Sequence, residues 1–381
     1  MSKSILYIVI LLSLCFSSMK ARDTDYSAST TYHNDLNQLA TRLLKGKKGS
    51  IVAIQPSTGE VLCLATMSAD GPNDALAIAT AYPPGSTFKP AEALTLLTLG
   101  SILPTTSVAC NKGGRWGNIK VGCHQHASPL QMINAIGYSC NTWFLSTFLS
   151  YMNNRRLFPT KEEAVTAWHD NIVCQGFGGP LGIDLPGERG GLVANLNYLK
   201  RRYPDGWDAK TIMWAAMGQG DLTATPLQLC NLAVTIANRG WYITPHVHRG
   251  TPEHPLASRY LTPRYTQVAP DAYVSVIKGM RQAVLKGTLT GINTTRYTLC
   301  GKTGTAENAG RDHSAFIGFA PMNSPQIAVA VYIEHGGFGA DMAAPIASLI
   351  IERYLTGQLS ATSLAKAKRI EARSTLSNTK K

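Results

Sequence analysis

The chain has 381 residues, of which 44% are hydrophobic, so it can bury a sizeable core as one large domain or two small ones. Its formal net charge of +13 suits an anionic membrane surface or wall polymer as well as nucleic acid. The sequence contains no base-reading motif and no basic stripe interleaved with aromatic residues, so no nucleic-acid partner is predicted.

An apolar segment, residues 5–16, follows Lys3 near the start of the chain. It predicts an export signal or a short membrane anchor in residues 1–22, rather than part of the fold. The segment is shorter than the about 20 apolar residues of a usual membrane span, and a mediocre cleavage site follows it. Cleavage and retention both stay open, and either one places the following domain in an exported compartment.

A helix and a hairpin are the first predicted elements of the fold. Residues 35–40 have a helical pattern. The apolar runs 50–55 and 61–66 predict two strands joined by the turn sequence PSTGE.

The stretch PPGSTFKP, residues 83–90, turns the backbone and then opens an apolar helix that ends near Gly100. Ser86 and Lys89 are three residues apart, so they face the same side of that helix. A lysine brought towards neutrality by burial or nearby cations can take the proton of a serine and make it a nucleophile. A Ser-x-x-Lys tetrapeptide is common, however, and alone it is better explained as a capping serine beside a solvated lysine.

The later elements predict an α/β fold. Thr225 and Pro226 are an N-cap and first-turn pair that begin a helix ending near residue 238. The other predicted elements are an apolar helix that passes from 132–136 through 143–151, helices at 272–286 and 340–355, and strands at 297–300, 314–320 and 326–335. This order predicts one sheet covered by helices on both faces.

Two further motifs change the interpretation of Ser86. A Ser-x-Asn motif occupies residues 139–141, and a Lys-Thr-Gly motif occupies residues 302–304. The three motifs in this order are the signature of penicillin-recognising serine enzymes. Together they are far more specific than any one of them, and they favour a catalytic role for Ser86.

The chain resembles the transpeptidase domain of class B penicillin-binding proteins, and most of all the elongation-type penicillin-binding protein 2. The resemblance covers residues 36–357 and is carried by GSIVAIQPSTGEVLCLAT, YPPGSTFKP, YSCNTWF, GIDLPGE, MGQGDLTATPLQL, GKTGTAEN, HSAFIGFAP, QIAVAVYIEHGG and APIASLIIERYLTG. It implies the transpeptidase fold that these proteins share with serine β-lactamases, an antiparallel sheet between helices with the nucleophilic serine at a helix N-terminus.

The sequence differs from this family in its N-terminal region. Family members carry a membrane anchor and then a long non-catalytic pedestal domain, whereas here about thirty residues separate the apolar segment from Ser50. We therefore expect a signal or anchor in residues 1–22, a transpeptidase domain in 23–357 without a pedestal, and a basic, disordered tail in 358–381. The resemblance implies a location at the periplasmic face of the inner membrane.

The resemblance also implies a substrate and partners. Ser86 would attack the D-Ala-D-Ala amide of a peptidoglycan stem peptide, and an amine of a neighbouring stem peptide would then resolve the acyl-enzyme into a cross-link. Lys89 would be the base, Ser139 would pass a proton to the leaving amine, and Asn141 would hold Lys89 and the substrate amide. β-Lactams would acylate the same serine, and a cell-wall glycosyltransferase is an expected partner.

The third motif would bind the substrate. The resemblance implies that the positive charge of Lys302 helps keep Lys89 deprotonated and attracts the substrate carboxylate, which Thr303 and Thr305 would bind. Gly304 would let the edge strand lie close to the substrate. Backbone N–H groups of Ser86 and Thr305 would form the oxyanion hole. No cofactor is expected for catalysis.

Two other classes of function stay open. A serine β-lactamase shares the motifs but needs a group that activates a deacylating water, and Glu188 lies in a loop between the second and third motifs. Its context, LPGERGG, matches the transpeptidase pattern instead. The other class is a β-lactam sensor or an inactive remnant, which the missing pedestal suggests and the intact motifs disfavour.

A structural zinc site is predicted around the second motif. Cys110, Cys123 and Cys140 surround two histidines, and three thiolates with one imidazole can form a tetrahedral site. His126 is preferred over His124 because it precedes the helix leading to Ser139. Some relatives hold zinc in this region, which supports the prediction. A Cys110–Cys123 disulfide and a buried Cys140 are the alternatives. The remaining cysteines of the domain are predicted core residues: Cys63, Cys174, Cys230 and Cys300.

Overall fold

The computed structural model describes residues 30–376. The segment predicted to be an export signal or anchor falls in residues 1–29, outside the described residues, as do residues 377–381. Within residues 30–376, no helix combines the length and the apolar character needed to cross a membrane.

The helices and strands have the following bounds. The α-helices are α1 (Asn34–Leu44), α2 (Ala75–Ile78), α3 (Lys89–Thr98), α4 (Met132–Gly137), α5 (Asn141–Met152), α6 (Lys161–Val173), α7 (Leu196–Arg202), α8 (Ala209–Ile212), α9 (Pro226–Ala237), α10 (Pro270–Lys286), α11 (Ala343–Thr356) and α12 (Ala361–Glu371). The strands are β1 (Gly49–Ile54), β2 (Val61–Met67), β3 (Ser107–Val108), β4 (Gly113–Trp116), β5 (Ile119–Gly122), β6 (Leu130–Gln131), β7 (Trp241–Tyr242), β8 (Arg264–Tyr265), β9 (Cys300–Ala306), β10 (His313–Ala320) and β11 (Ile327–Ile333).

One five-stranded antiparallel sheet organises the fold, in the order β2-β1-β11-β10-β9. Strands β3 to β8 form small two-stranded pieces outside it. The strand that carries the Lys-Thr-Gly motif, β9, lies at one edge and pairs only with β10, so that Thr303 is opposite Phe316 and Thr305 is opposite Ser314. Its outer side is therefore the side on which another chain can be bound.

The sheet is buried on both faces because the side chains of β11 alternate between two apolar clusters. Ala330 and Tyr332 belong to the cluster that contains the apolar residues of α3, α5 and α9. Val329 and Val331 belong to the cluster that contains those of α1, α11 and α12. This arrangement confirms the predicted antiparallel sheet between helices, and strands β1, β2, β10 and β11 lie where they were expected.

The helix after Thr225 shows how local sequence sets an element boundary. Thr225 accepts a hydrogen bond from Gln228 N while the Gln228 side chain accepts one from Thr225 N, so the two form a capping box. Pro226 occupies the first turn, as predicted. The helix ends at Ala237, and Gly240 beyond it has a φ of 114°.

The strand predicted at residues 297–300 is wrong, because the strand begins only at Cys300. The carbonyls that precede it bind partners outside the sheet. Thr298 O accepts from Met322 N at 2.8 Å, and Leu299 O accepts from Arg281 Nη1 at 3.0 Å. These bonds hold residues 297–299 as a loop, so the strand consists of the Lys-Thr-Gly segment itself.

The disordered tail predicted from residue 358 differs from the structure, which has the helix α12 there. Ala367 and Ile370 are three residues apart and share one face of this helix, and each is 4% exposed. At its start, the Glu352 carboxylate accepts hydrogen bonds from Ser360 N and from Ser363 Oγ. A carboxylate at a helix N-terminus is stabilising, which the composition of the tail does not reveal.

Replacing Ile370 with alanine is expected to lower the free energy of unfolding by about 2–4 kcal/mol, because it leaves a cavity under α12. Leu364 lies on the same helix but is 51% exposed, so Leu364→Ala is the matched control, with an expected change within about 0.5 kcal/mol. Urea unfolding followed by circular dichroism measures both. Equal, small changes in the two variants would show that α12 does not pack on the domain.

Candidate active site

Ser86 lies in a 3₁₀ turn, Gly85–Phe88, that runs directly into α3. Gly85 has a φ of 55° and donates its N–H to Gly218 O at 2.9 Å. A Cβ on Gly85 would lie 2.6 Å from Thr305 O, and one on Gly218 would lie 2.2 Å from Gly85 O. Glycine is therefore required at both positions, and the turn is held between the Gly218 loop and β9.

Two buried lysines converge on the hydroxyl of Ser139. Lys89 Nζ donates hydrogen bonds to Ser139 Oγ at 3.2 Å, to Ser139 O at 2.9 Å and to Asn141 Oδ1 at 2.6 Å. Lys302 Nζ donates to the same Oγ at 2.8 Å and to Thr303 O at 2.9 Å. Both lysines are 0% exposed. The structure thus brings the three sequence motifs together at one point.

Burial is the main influence on both amines. It lowers the pKa of Lys89 to about 8, against smaller opposite effects of the Cys123 and Cys140 thiols. Burial, and then the charge of Lys89, lowers the pKa of Lys302 well below its ordinary value. Repulsion between two ammonium groups is mutual, so each amine disfavours the charged form of the other. The pair therefore takes up a second positive charge less readily than two separate lysines would.

Ser139 takes its position from a break between two helices. A continuous helix through the second motif was predicted, but α4 ends at Gly137 and α5 begins at Asn141. Ser139 has a φ of 57°, in the left-handed region that few residues adopt. Cys140 then caps α5, its Sγ accepting from Trp143 N at 3.4 Å. The break turns the Ser139 hydroxyl out of the helix and towards the lysines.

The edge strand β9 passes close to the nucleophile turn. A Cβ on Gly304 would lie 2.7 Å from Thr87 Cγ2 and 2.9 Å from Pro84 O. The glycine is therefore needed for packing against the turn, in addition to the clearance predicted for a substrate. Thr303 Oγ1 hydrogen bonds to Thr288 Oγ1 at 2.8 Å, a partner that the sequence did not single out.

A cluster of three cysteines and one histidine lies next to Ser139. The ligating atoms of Cys110, Cys123, His126 and Cys140 all lie within 4.8 Å of one another. His126 Nδ1 is 2.8 Å from Ala127 O, so that nitrogen carries the proton and Nε2, 3.3 Å from Cys123 Sγ, presents its lone pair to the cluster. The four residues chosen from the sequence are thus together, and soft thiolates with one imidazole suit zinc.

The cysteines of residues 30–376 are all unbridged, including Cys110 and Cys123. Cys63, Cys230 and Cys300 are buried, as predicted, whereas Cys174 is only half-buried. The cluster is also tied to the second motif from its other side, because Asn141 Nδ2 donates to Gly122 O at 2.9 Å, one residue before Cys123.

The motifs open onto a cavity of about 180 Å³. Ser86, Ser139, Asn141, Thr303 and Thr305 line it, as expected for a site built from the three motifs. Five further lining residues were not predicted: His124, Thr288, Glu307, Asp312 and Phe338. Glu307 and Asp312 share the loop between β9 and β10, and the other three come from separate parts of the chain.

Glu188 does not lie in this cavity. Its carboxylate accepts backbone hydrogen bonds from Leu181 N at 2.7 Å, Gly182 N at 2.8 Å and Ile183 N at 3.0 Å. These bonds occupy both carboxylate oxygens and brace the loop. Glu188 is thus a structural residue in this chain.

Comparison with known proteins places this geometry in a family. Residues 49–352 match the penicillin binding protein transpeptidase domain. The chain is 30% identical to the peptidoglycan D,D-transpeptidase MrdA of Acinetobacter baumannii, covering 85% of this chain and 53% of that protein. It is 27% identical to the MrdA of Haemophilus influenzae, covering 85% of this chain and 55% of that protein. The chain spans about half the length of these curated relatives.

Solved structures of penicillin-binding proteins are similar to this chain. The crystal structure of Pseudomonas aeruginosa PBP2 in complex with WCK 5153 superposes with a TM-score of 0.76 at 30% identity, covering 88% of this chain and 80% of that chain. Penicillin-binding protein PBP2 of Helicobacter pylori superposes with a TM-score of 0.71 at 23% identity, covering 87% of this chain and 64% of that one, and so supports the fold.

Proposed function

Because this chain belongs to the penicillin-binding protein transpeptidase domain family, we propose that it is a peptidoglycan D,D-transpeptidase that cross-links stem peptides through an acyl-enzyme on Ser86. The observation that carries the proposal is the Ser139 hydroxyl, held between two buried lysine amines in the cavity that Ser86 lines. A serine nucleophile needs a nearby base whose pKa is close to the working pH, and this arrangement supplies one.

The first half-reaction acylates Ser86. Its Oγ attacks the carbonyl carbon of the D-Ala-D-Ala amide while its proton passes to neutral Lys89. The C–N bond then breaks, and the proton reaches the leaving amine through the Ser139 hydroxyl, which contacts both lysines. Free D-alanine departs, and the stem peptide remains as an ester of Ser86. β-Lactams enter the same step and leave a stable ester.

The second half-reaction makes the cross-link. An amine of another stem peptide attacks the ester carbonyl, the bond to Ser86 Oγ breaks, and the amine proton returns to that oxygen. Thr303, Thr305 and the Lys302 amine bind the carboxylate of the donor peptide on the outer side of β9. The N–H groups of Ser86 and Thr305 stabilise the oxyanion, and losing one such donor typically costs ~3 kcal/mol. Gly304 keeps that edge open.

The backbone bonds of Glu188 favour this function over a β-lactamase, because they leave that carboxylate no role as the base for a deacylating water. A β-lactam sensor would share the acylation step but would not form cross-links. The two are therefore separated by product formation rather than by labelling.

Replacing Ser86 with alanine is expected to abolish covalent labelling by a fluorescent penicillin, since the attacking oxygen is lost. Ser57→Ala, in the exposed turn between β1 and β2, is the matched control and should label like the unaltered protein. Gel fluorescence measures labelling, and circular dichroism verifies the fold. Undiminished labelling of folded Ser86→Ala protein would refute the assignment.

The stability of the penicillin label, together with cross-linking activity, distinguishes a transpeptidase, a sensor and a β-lactamase. Stable labelling that is accompanied by cross-linking of a lipid-linked substrate supports the transpeptidase. Stable labelling without cross-linking indicates a sensor, and rapid release of the label indicates a β-lactamase.

We also propose that Cys110, Cys123, His126 and Cys140 hold a structural zinc ion. Support comes from the convergence of their ligand atoms and from the His126 tautomer, which leaves Nε2 free to coordinate. A bound cation would neutralise thiolates and fix the loop against the Ser139 break. Catalysis itself needs only the residues of the three motifs.

Elemental analysis of protein purified without a histidine tag is expected to find about one equivalent of zinc. Cys140→Ser should lose most of that zinc, whereas Cys174→Ser, outside the cluster, should retain it. Less than about a tenth of an equivalent in the unaltered protein, with two thiols blocked to alkylation until reduction, would establish the Cys110–Cys123 disulfide instead.

The proposed setting is the periplasmic face of the inner membrane, with the transpeptidase domain in residues 23–357. The apolar segment of residues 5–16 supports export, and the family match at 49–352 lies inside the proposed bounds. A peptidoglycan-polymerising glycosyltransferase is the proposed partner. One 25% identical structural relative, described as part of a peptidoglycan synthase complex that coordinates polymerization and crosslinking, supports that kind of partner.

A further inference from the structure

One wall of the catalytic cavity is not used by the acylation step. Glu307 directly follows the end of β9 and Asp312 directly precedes the start of β10. Since Ala306 pairs with His313, the hairpin brings these two acidic residues to the same end of the edge strand. Phe338, from the loop after β11, lines the same cavity.

The loop that carries Phe338 is packed against the edge of the sheet. Its carbonyl accepts a hydrogen bond from Ser314 Oγ at 3.0 Å. A Cβ on the next residue, Gly339, would lie 2.5 Å from both Ala315 O and Gly304 O, so the loop is pressed against β9 and β10. Phe338 lines the cavity and is 57% exposed. An apolar ring in that position gains free energy when an apolar part of a substrate covers it.

The two carboxylates are not neutralised by a basic side chain of the described residues. Within residues 30–376, neither Glu307 nor Asp312 forms an ion pair or a side-chain hydrogen bond, although the chain carries 36 lysines and arginines. The arginine of the same hairpin, Arg311, is directed to Gly337, where an added Cβ would lie 3.0 Å from its Nη2. The amines of Lys89 and Lys302 are buried behind the Ser139 hydroxyl, whereas Glu307 and Asp312 line the cavity itself.

This distribution of charge separates two substrates. The carboxylate of a donor peptide is attracted towards the two buried amines and repelled by the two acidic residues. An ammonium group has the opposite preference, and its aliphatic chain matches the ring beside the carboxylates. We propose that Glu307, Asp312 and Phe338 form the subsite for the acceptor, a primary amine at the end of an aliphatic chain such as a diamino-acid side chain. This inference rests on the proposed transpeptidase function.

The subsite recruits the amine in its charged form. Once bound, the ammonium releases one proton to water, and the neutral amine attacks the ester carbonyl of the acyl-enzyme. A new amide C–N bond forms, the ester C–O bond breaks, and the second amine proton ends on Ser86 Oγ. Glu307, Asp312 and Phe338 are positioning residues, because they select and orient the nucleophile.

The test measures the ratio of aminolysis to hydrolysis of the acyl-enzyme, that is, how often an amine rather than water attacks the ester. A D-alanyl thioester peptide forms the acyl-enzyme, and the acceptors are Nα-acetyl-lysine amide and its short-chain analogue Nα-acetyl-2,3-diaminopropionamide. The ratio of aminolysis to hydrolysis is read on acyl-enzyme already formed, so effects on acylation cancel. With the lysine acceptor, the double variant Glu307→Gln/Asp312→Asn is expected to lower this ratio about tenfold. Asp205→Asn, an exposed acid elsewhere, should leave it unchanged.

A second set of variants tests the contribution of the Phe338 ring. Phe338→Ala should lower the ratio more for the lysine acceptor than for the short-chain acceptor, and Phe338→Leu should restore most of it. Acyl-enzyme whose ratio is unchanged in the double variant and in Phe338→Ala overturns this inference alone. Wild-type protein that the thioester cannot acylate overturns the proposed function, and the inference with it.

Discussion

A single serine hydroxyl in contact with two buried amines is the interaction on which the rest of the site depends. Ser139 Oγ lies 3.2 Å from Lys89 Nζ and 2.8 Å from Lys302 Nζ, and neither lysine reaches solvent. Two ammonium groups cannot both be charged at such a point without a large electrostatic cost. Burial lowers the pKa of both amines. The neutral form of Lys89 is thereby easier to reach, and a neutral lysine is the base that a serine nucleophile requires.

Backbone packing makes this chemistry possible. The nucleophile turn is clamped between the Gly218 loop and β9, and glycines stand where a side chain would collide, at Gly85, Gly218 and Gly304. The left-handed backbone of Ser139 completes the arrangement from the third side. At these positions the backbone adopts a restricted conformation that lets neighbouring segments pack closely together. The catalytic groups are therefore oriented before any substrate binds.

Much of the site could be predicted from sequence because its determinants are local or recur within a family. The capping box at Thr225, the β1–β2 hairpin and the three motifs all carry their signals in a few adjacent residues. The Cys110, Cys123, His126 and Cys140 cluster was found from spacing and resemblance together. The lining residues Thr288 and Phe338 lie in loops that are separate from the β9–β10 hairpin of Glu307 and Asp312, and only the folded sheet brings these loops to one cavity. The helix α12 was missed because its buried face has few apolar residues and the rest of it is basic.

The most direct test of this account is the pH dependence of the rate at which a penicillin acylates Ser86, measured under single-turnover conditions across roughly pH 6 to 10. Lys89 acts only in its neutral form, whose fraction increases as the pH passes through its pKa. The rate should therefore rise with pH, with a midpoint near the pKa of about 8 that burial gives Lys89, and then level off. A rate that stays flat through this range, with acylation limiting, would contradict the account, because it would show that a base other than Lys89 activates the serine.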